Sequence, residues 1–334
     1  MQQELRFATF NVCNLALPGV KFYDDQLPYS QDEYEAKTAW IAQQLDRLDA
    51  DVIGLQEIFS LSALQHAVSK TEKYRDARCI GFDPDPAAEH LTPSVALISR
   101  LPVIGEGEAI CALPHALGIA LPGVQEPVTR FTRPILRVRV QATANLSIQV
   151  FVCHLKSKMP DYRYDRSDGH PDQTGMAMLR SMIRRGADAL GLRYLLSETN
   201  REARMPTVVL GDFNDVATAI PTQMVMGLGK YPVNGIDERL FDSYRIQSRR
   251  DPMRDVGYTH MHDGNYETID HILVSADFNV ALPNAIGEVV EVTYLNDHML
   301  FKQPHASDHG QVLARIVLRE PPPGTDTPTT PLMI

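Results

Sequence analysis

Residues 206–215 read PTVVLGDFND, and this stretch decides the fold class. From Thr207 to Leu210 every residue is β-branched or aliphatic, with no polar alternation, which predicts a strand covered on both faces. The acidic and amide residues Asp212, Asn214 and Asp215 follow at once. Polar chemistry at the end of a buried strand is the layout of α/β folds, which build sites at strand ends.

The same grammar extends in both directions. Residues 5–12, 51–56, 94–99, 135–140, 147–154, 269–275 and 311–318 also read as strands. VIGLQ and SVALIS are apolar at almost every position, whereas in 135–140 Ile135, Leu136, Val138 and Val140 interleave with Arg137 and Arg139. Helical patterns lie between them. Ser30 and Glu33 form a capping box, after which Tyr34, Ile41, Leu45 and Leu48 share one face. Residues 60–69 are a second helix. Residues 174–199 are a third, with Met178, Met182, Leu190 and Leu196 on a core side and Arg180, Arg184 and Arg185 elsewhere. Gly186 and Gly191 mark where it would bend or divide. Strands mixed with helices to about residue 318, without an internal linker, predict one α/β domain over 1–319. Residues 320–334, EPPPGTDTPTTPLMI, cannot build a core and read as a disordered tail.

Composition narrows the function classes. With 44% hydrophobic and 22% charged residues, the chain is of ordinary globular type, which excludes collagen-like, low-complexity and coiled-coil readings. Its 32 Lys and Arg against 42 Asp and Glu give −10, so a polyanionic partner gains no general attraction and needs local basic groups or bound cations. Cys13, Cys79, Cys111 and Cys153 show no metal-type spacing and are expected as free thiols. No apolar stretch approaches a membrane span. The N-terminus lacks the basic, apolar and small-residue pattern of a leader, so the expectation is a cytoplasmic protein without stable membrane association. The nearest thing to a membrane-docking hairpin is 112–124, ALPHALGIALPGV.

Polar residues recur where apolar runs end: Asn11 in TFNVCNL, Glu57 in DVIGLQEI, His154 in FVCHLKSK, Asp212 and Asn214 in GDFND, Asp270 in TIDHILVS, and Asp308 with His309 in ASDHGQV. A carboxylate at the end of a buried strand is costly unless paired or cation-bound. Four converging carboxylates, Glu57, Asp212, Asp270 and Asp308, would repel one another without a cation. Oxygen donors suit a hard ion such as Mg²⁺ or Mn²⁺. Two histidines beside a metal-bound phosphate can supply proton transfer and anion stabilisation.

The ordered set N, LQE, HL, GDFN, ID and SDH resembles the endonuclease/exonuclease/phosphatase superfamily, from Phe7 to about Leu318. The resemblance implies a four-layered α/β sandwich, two mixed β-sheets face to face with helices outside. It also implies that Asn11, Glu57 and Asp308 hold the metal, that Asp212 positions the attacking water or a second ion, and that Asn214 binds a phosphoryl oxygen. His309 would be the general base oriented by Asp270, and His154 would contact the scissile phosphate. His271, beside Asp270, points to the opposite face of its strand and is read as a packing residue. Asn14 is open between a turn role and ligand contact, and His298 between site and core. Arg133 and Lys156 are candidate phosphate contacts, and Lys158 flanks the same site.

Where the AP-endonuclease branch carries Tyr ahead of a PN signature, this chain has FVCHLKSK, which points toward the deoxyribonuclease, sphingomyelinase and phosphatase branches. HLKSK resembles bacterial nuclease-like members, in which a long loop and an Arg-bearing helix follow. From Lys156 to Arg204 there are 10 Lys and Arg against 7 Asp and Glu, an excess too small for a nucleic-acid stripe. The expectation is a monomeric Mg²⁺- or Mn²⁺-dependent phosphodiesterase or nuclease, with DNA or RNA among its substrates. Small-molecule or lipid-headgroup phosphoesters are the alternative. A non-catalytic binding protein on this scaffold, or a zinc hydrolase drawing on the 11 histidines, are readings of other classes.

Overall fold

The computed structural model describes residues 3–23, 26–84, 91–164, 170–229, 237–250, 257–301 and 303–319, so the proline- and threonine-rich end, 320–334, lies outside the described residues. In chain order the elements are β1 (Glu4–Leu15), α1 (Gln31–Leu48), β2 (Val52–Ile58), α2 (Leu61–Ser69), β3 (Arg78–Gly81), β4 (Ser94–Ser99), β5 (Val103–Ala112), β6 (Arg130–Thr143), β7 (Leu146–His154) and α3 (Pro171–Glu202). They continue as β8 (Thr207–Asp212), α4 (Ile220–Met226), β9 (Leu240–Asp242), α5 (Ser243–Ile246), β10 (His260–His262), β11 (Asn265–Glu267), β12 (Asp270–Ser275), β13 (Gly287–Leu295) and β14 (Gln311–Leu318).

Two six-stranded sheets form, in the orders β13-β14-β1-β2-β4-β3 and β5-β6-β7-β8-β12-β9. Each holds one parallel pair, β1 with β2 and β7 with β8, flanked by antiparallel neighbours. Their inner faces meet in a core that includes Phe7, Val52 and Leu97 from the first sheet and Val150, Leu210 and Ile272 from the second. The outer face of the first sheet is covered by α1 and α2 through Phe10, Ile41, Leu45 and Leu64. The outer face of the second is covered by α3 and the chain before β6, through Leu113, Phe131, Leu192 and Phe213. The result is a four-layered α/β sandwich with two mixed sheets.

The local rules hold at α1. Ser30 Oγ accepts from Glu33 N, and Glu33 Oε2 accepts from Ser30 N at 2.8 Å. Tyr34, Ile41, Leu45 and Leu48 are all buried. The third helix departs from the expected pattern. Met178 and Met182 are 55% and 53% exposed, while Arg180 and Arg185 are buried. The first half of α3 covers loop backbone rather than apolar sheet. Arg180 Nε donates to the Pro122 carbonyl at 2.8 Å, and Arg185 Nε pairs with Asp215 Oδ2 at 2.7 Å. The helix also runs unbroken past both glycines. At Gly191 a Cβ would lie 2.7 Å from Leu113 Cδ2 and 2.9 Å from the Phe131 ring, so this glycine permits close packing rather than a bend. Leu113 and Leu121 of the apolar 112–124 segment are buried in the same layer, not displayed for docking. Among the described residues no helix is long and apolar enough to cross a membrane.

Gly211 sets the spacing of the parallel pair beneath the candidate site. Its partner across the strands is Cys153, and the next pair is His154 with Asp212. A Cβ on Gly211 would fall 2.2 Å from the Cys153 carbonyl oxygen, a backbone atom that cannot rotate away. Gly211→Ala is therefore expected to destabilise the protein by at least about 1–3 kcal/mol in urea denaturation. An unchanged midpoint and slope would show that the strands can part there at no cost.

Candidate active site

Two backbone irregularities aim the first sheet's polar side chains. The β1–β2 register shifts between Asn11 and Leu15, with Cys13 and Asn14 at φ 56° and 59°. In β2 the shift falls at Glu57, which has φ 65°. Non-glycine residues in the left-handed region are strained and persist where the surroundings enforce them, often at functional sites. Here the enforcing contact is Asn14 N donating to Glu57 Oε2 at 3.0 Å.

The second sheet supplies a row. His154 ends β7, Asp212 ends β8 and Asp270 opens β12; the pairings place His154 opposite Asp212 and Asp212 opposite Asp270. Asp212 Oδ1 accepts from Asn214 N at 2.8 Å, turning the chain so that Asn214 Nδ2 donates to the Leu155 carbonyl at 3.0 Å. The two sheets meet at one atom. Asp212 Oδ2 accepts from Asn11 Nδ2 at 3.1 Å, lies 3.3 Å from His154 Nε2 and 3.8 Å from His309 Nε2. Asn11 Nδ2 also reaches Glu57 Oε1 at 3.2 Å.

His309 is fixed from four sides. Its Nδ1 donates to Asp270 Oδ2 at 2.9 Å, and its backbone N donates to Ser307 Oγ, which in turn donates to the Asn11 carbonyl at 2.6 Å. His298 Nε2 donates to the His309 carbonyl at 2.9 Å. His260 forms a β-bridge with it, their ring centroids 5.1 Å apart. Charge is coupled through this cluster. Burial, then the neighbouring Asp270, pushes the Asp212 carboxyl up to about 7. Burial opposes protonation of His309, but Asp270, Asp212 and Asp308 outweigh it and raise that imidazole well above its usual value. His154 goes the other way, held well below by burial and by Arg133.

The structure thus gathers Asn11, Glu57, His154, Asp212, Asn214, Asp270 and His309, with Asp308 at the mouth, where its carboxylate shares a cluster with His260 and His309. Arg133 also comes in: one guanidinium nitrogen donates to the Leu155 carbonyl at 3.1 Å, the atom that Asn214 contacts. Lys156 turns its ammonium to the Ser157 and Met159 carbonyls, with burial and then Arg133 pushing it down to about 8. Lys158 pairs with Glu267 at 2.7 Å. His271 packs away from the cluster, edge-on to Phe213, with Nε2 donating to the Asp215 carbonyl.

Several supporting residues have no motif of their own. Thr259 Oγ1 accepts from both Ile269 N and Asp270 N and so orients the start of β12. Buried Asp188, pushed up to about 6 by burial, accepts from Thr132 N and Lys156 N and ties α3 to the strand ends bearing Arg133 and His154. His260 is the residue that the reading of the sequence missed most directly; its signal was the repeated histidine of THMH just ahead of the TID motif.

The donor set fits a hard divalent cation. Glu57, Asp308 and Asn11 offer oxygens, and the one thiol beside them, Cys13, is pushed up by burial and by Asp308 and Glu57, which keeps it protonated and a poor ligand. Buried Asp270 Oδ1 and His154 Nδ1 have no hydrogen-bond partner among the described residues, an arrangement suited to an incoming group.

The model of the Endonuclease/Exonuclease/phosphatase family matches residues 8–309. The chain belongs to this family. As a member of the endonuclease/exonuclease/phosphatase family it has a phosphoesterase scaffold with a buried His/Asp cluster, in a family that typically uses a divalent metal. Solved structures share the fold at low identity. A mannosyl-6-phosphatase from Bacteroides thetaiotaomicron is 18% identical with TM-score 0.57, covering 94% of this chain and 100% of its own. The human Nocturnin catalytic domain with bound sulfate is 15% identical with TM-score 0.56, covering 95% and 98%. D. rerio TDP2 complexed with a single-strand DNA product is 15% identical with TM-score 0.53, covering 94% and 98%. Among curated proteins none matches this family member.

Proposed function

We propose that the chain is a divalent-metal-dependent phosphodiesterase whose nucleophile is a water activated by His309. The observation that carries this reading is the convergence on Asp212 Oδ2 of Asn11 from one sheet and of His154 and His309 from the other, with His309 already held by Asp270. Glu57 and Asp308, with Asn11, would hold an ion of the Mg²⁺ or Mn²⁺ kind, which when bound stabilises charge on phosphoryl oxygens. Asp270 holds the Nδ1 proton of His309; a cation held at Glu57 and Asp308 would offset the carboxylates that raise this imidazole, so that Nε2 gives up its proton and can take one from water. Asp212, next to that nitrogen, orients the water. His154, Asn214 and Arg133 line the side where the phosphoryl oxygens are bound, with Arg133 offering a fork suited to phosphate.

A phosphomonoesterase is the second reading. The overall charge of −10 favours it, because a long polyanion gains nothing from the protein's general field. A panel at fixed Mn²⁺ separates the two: plasmid DNA, RNA and bis-p-nitrophenyl phosphate against p-nitrophenyl phosphate and sugar phosphates. Diesters are expected to turn over with kcat/KM at least tenfold above monoesters. The reverse order would overturn the diesterase reading, and no turnover of any ester with Mn²⁺ bound would favour a binding protein.

A further inference from the structure

Lys37, on the buried face of α1, is the one lysine buried among the described residues, at 2% exposure. No hydrogen bond or salt bridge joins its ammonium to a described residue, which is unusual for a buried charge. It does not sit in apolar surroundings alone. The charged and titratable groups that act on it are Cys13 from β1, Glu57 from β2 and Asp308 from the loop before β14. Its ammonium lies 5.8 Å from the centre of the Tyr29 ring. Tyr29 in turn donates to the Asn14 carbonyl at 2.9 Å, and Asn14 N donates to Glu57 Oε2. Lys37 therefore stands on the α1 side of the site, linked through Tyr29 and Asn14 to the bulge that presents Glu57, and within electrostatic reach of Glu57 and Asp308. Burial lowers this lysine from its usual range, and the Glu57 and Asp308 carboxylates act in the opposite direction, favouring the charged form.

We propose that Lys37 is a fixed counter-charge for Glu57 and Asp308, a positioning residue that holds the two carboxylates together without a metal and weakens the binding of the divalent ion they receive. The inference rests on the reading of those two residues as metal ligands. A resident cation beside a metal site does two opposed things. It relieves carboxylate repulsion in the empty site, and it repels an entering dication, so the ion binds less tightly and exchanges faster. A contact to the substrate phosphate is the competing role for a lysine here, and the two roles differ in whether removing the charge alters Mn²⁺ binding or phosphate binding.

The test is a Mn²⁺ titration of the metal-free full chain, followed by calorimetry and by quenching of Trp40. That residue is the only tryptophan, and its ring lies 5.2 Å from that of His298. Removing one charge from beside a dication in a partly buried site is worth on the order of tenfold in affinity. Lys37→Gln is expected to tighten Mn²⁺ binding by roughly that factor, Lys37→Arg to stay near wild type, and inorganic phosphate binding to the Mn²⁺-loaded protein to change little. Lys37→Met repeats the measurement should the glutamine variant fail to fold. Unchanged or weaker Mn²⁺ binding in a folded charge-removing variant overturns the proposal, as does weakened phosphate binding with Mn²⁺ affinity unaltered. Mn²⁺ binding that survives Glu57→Gln would remove the ligand reading itself and the proposal with it, an outcome distinct from the first.

Discussion

Dialysis against EDTA is expected to bring diester turnover to background, and Mg²⁺ or Mn²⁺ to restore it. The carboxylates of Glu57, Asp212, Asp270 and Asp308 stand around one small volume, and the described cations nearest the first and last of them do not neutralise all four. Lys37 lies behind the Tyr29–Asn14–Glu57 chain of hydrogen bonds, while the imidazole of His309 is shared between Asp270 and Asp212. Oxygen donors of this kind prefer a hard ion, so Zn²⁺ is expected to restore less activity than Mg²⁺ or Mn²⁺. Stabilising a phosphoryl transition state by a bound ion is worth several kcal/mol, so Glu57→Gln should cost on the order of 10³-fold in kcat/KM at fixed Mn²⁺. Part of that loss should be recoverable at high Mn²⁺, because Asp308 and Asn11 still offer oxygens. Full turnover in excess EDTA, with elemental analysis finding no retained metal, would end the metal-dependent reading.

The eight strands legible in the sequence are β1, β2, β4, β6, β7, β8, β12 and β14, which are the eight interior strands of the two sheets. The four strands of these sheets that were not read, β3, β5, β9 and β13, are their four edges, and the short β10–β11 hairpin was not read either. The reason is physical. An interior strand is covered by neighbours and often by layers on both faces, so its sequence is a nearly unbroken apolar run, as in β4 and β8, where every residue is buried. An edge is short, like β9 with three residues, or polar, like β5, VIGEGEAICA, whose glycines and glutamates protect it from pairing with another chain. The inverted reading of α3 has a related cause. Periodicity locates a core-facing side only where the helix packs on apolar sheet, and the first half of α3 packs on loop carbonyls and Asp215 instead.

At the site, legibility followed the same division. Glu57, Asp212, Asp270 and Asp308 stood out because a carboxylate at the end of an apolar run is chemically expensive wherever the chain goes. Lys37, Asp188, Thr259 and His260 did not, because nothing local distinguishes them. A lysine within QDEYEAKTAW reads as a solvated helix position, and only the packing of α1 on the first sheet buries it beside Tyr29 and the bulge of β1. Residues that act through space on a motif leave no trace in its spacing.

His309→Ala is expected to lower kcat/KM on one diester by roughly 10²–10⁴-fold, the usual worth of a positioned general base. The geometry says why Asp270 should share that loss. Its Oδ2 accepts the Nδ1–H of His309 at 2.9 Å, while its Oδ1 is buried without a partner among the described residues, so among these this carboxylate's one side-chain hydrogen bond fixes one tautomer. With the proton on Nδ1, the free lone pair of Nε2 points toward Asp212, 3.8 Å away, where a water would be oriented between them. Asp270→Asn presents an amide that can donate to Nδ1 and drive the proton onto Nε2, leaving a donor where the base should be. The single substitution should therefore cost a large part of the His309→Ala factor even though its volume is unchanged. Once His309 is gone, Asp270 has nothing to orient, and the double variant should lose far less than the product of the two singles. Mn²⁺ affinity should move little in His309→Ala, since neither nitrogen is needed to hold the ion at Glu57 and Asp308. Losses that multiply in the double variant would mean that the two residues act on separate steps. The dyad would then be wrong even if each residue proved indispensable.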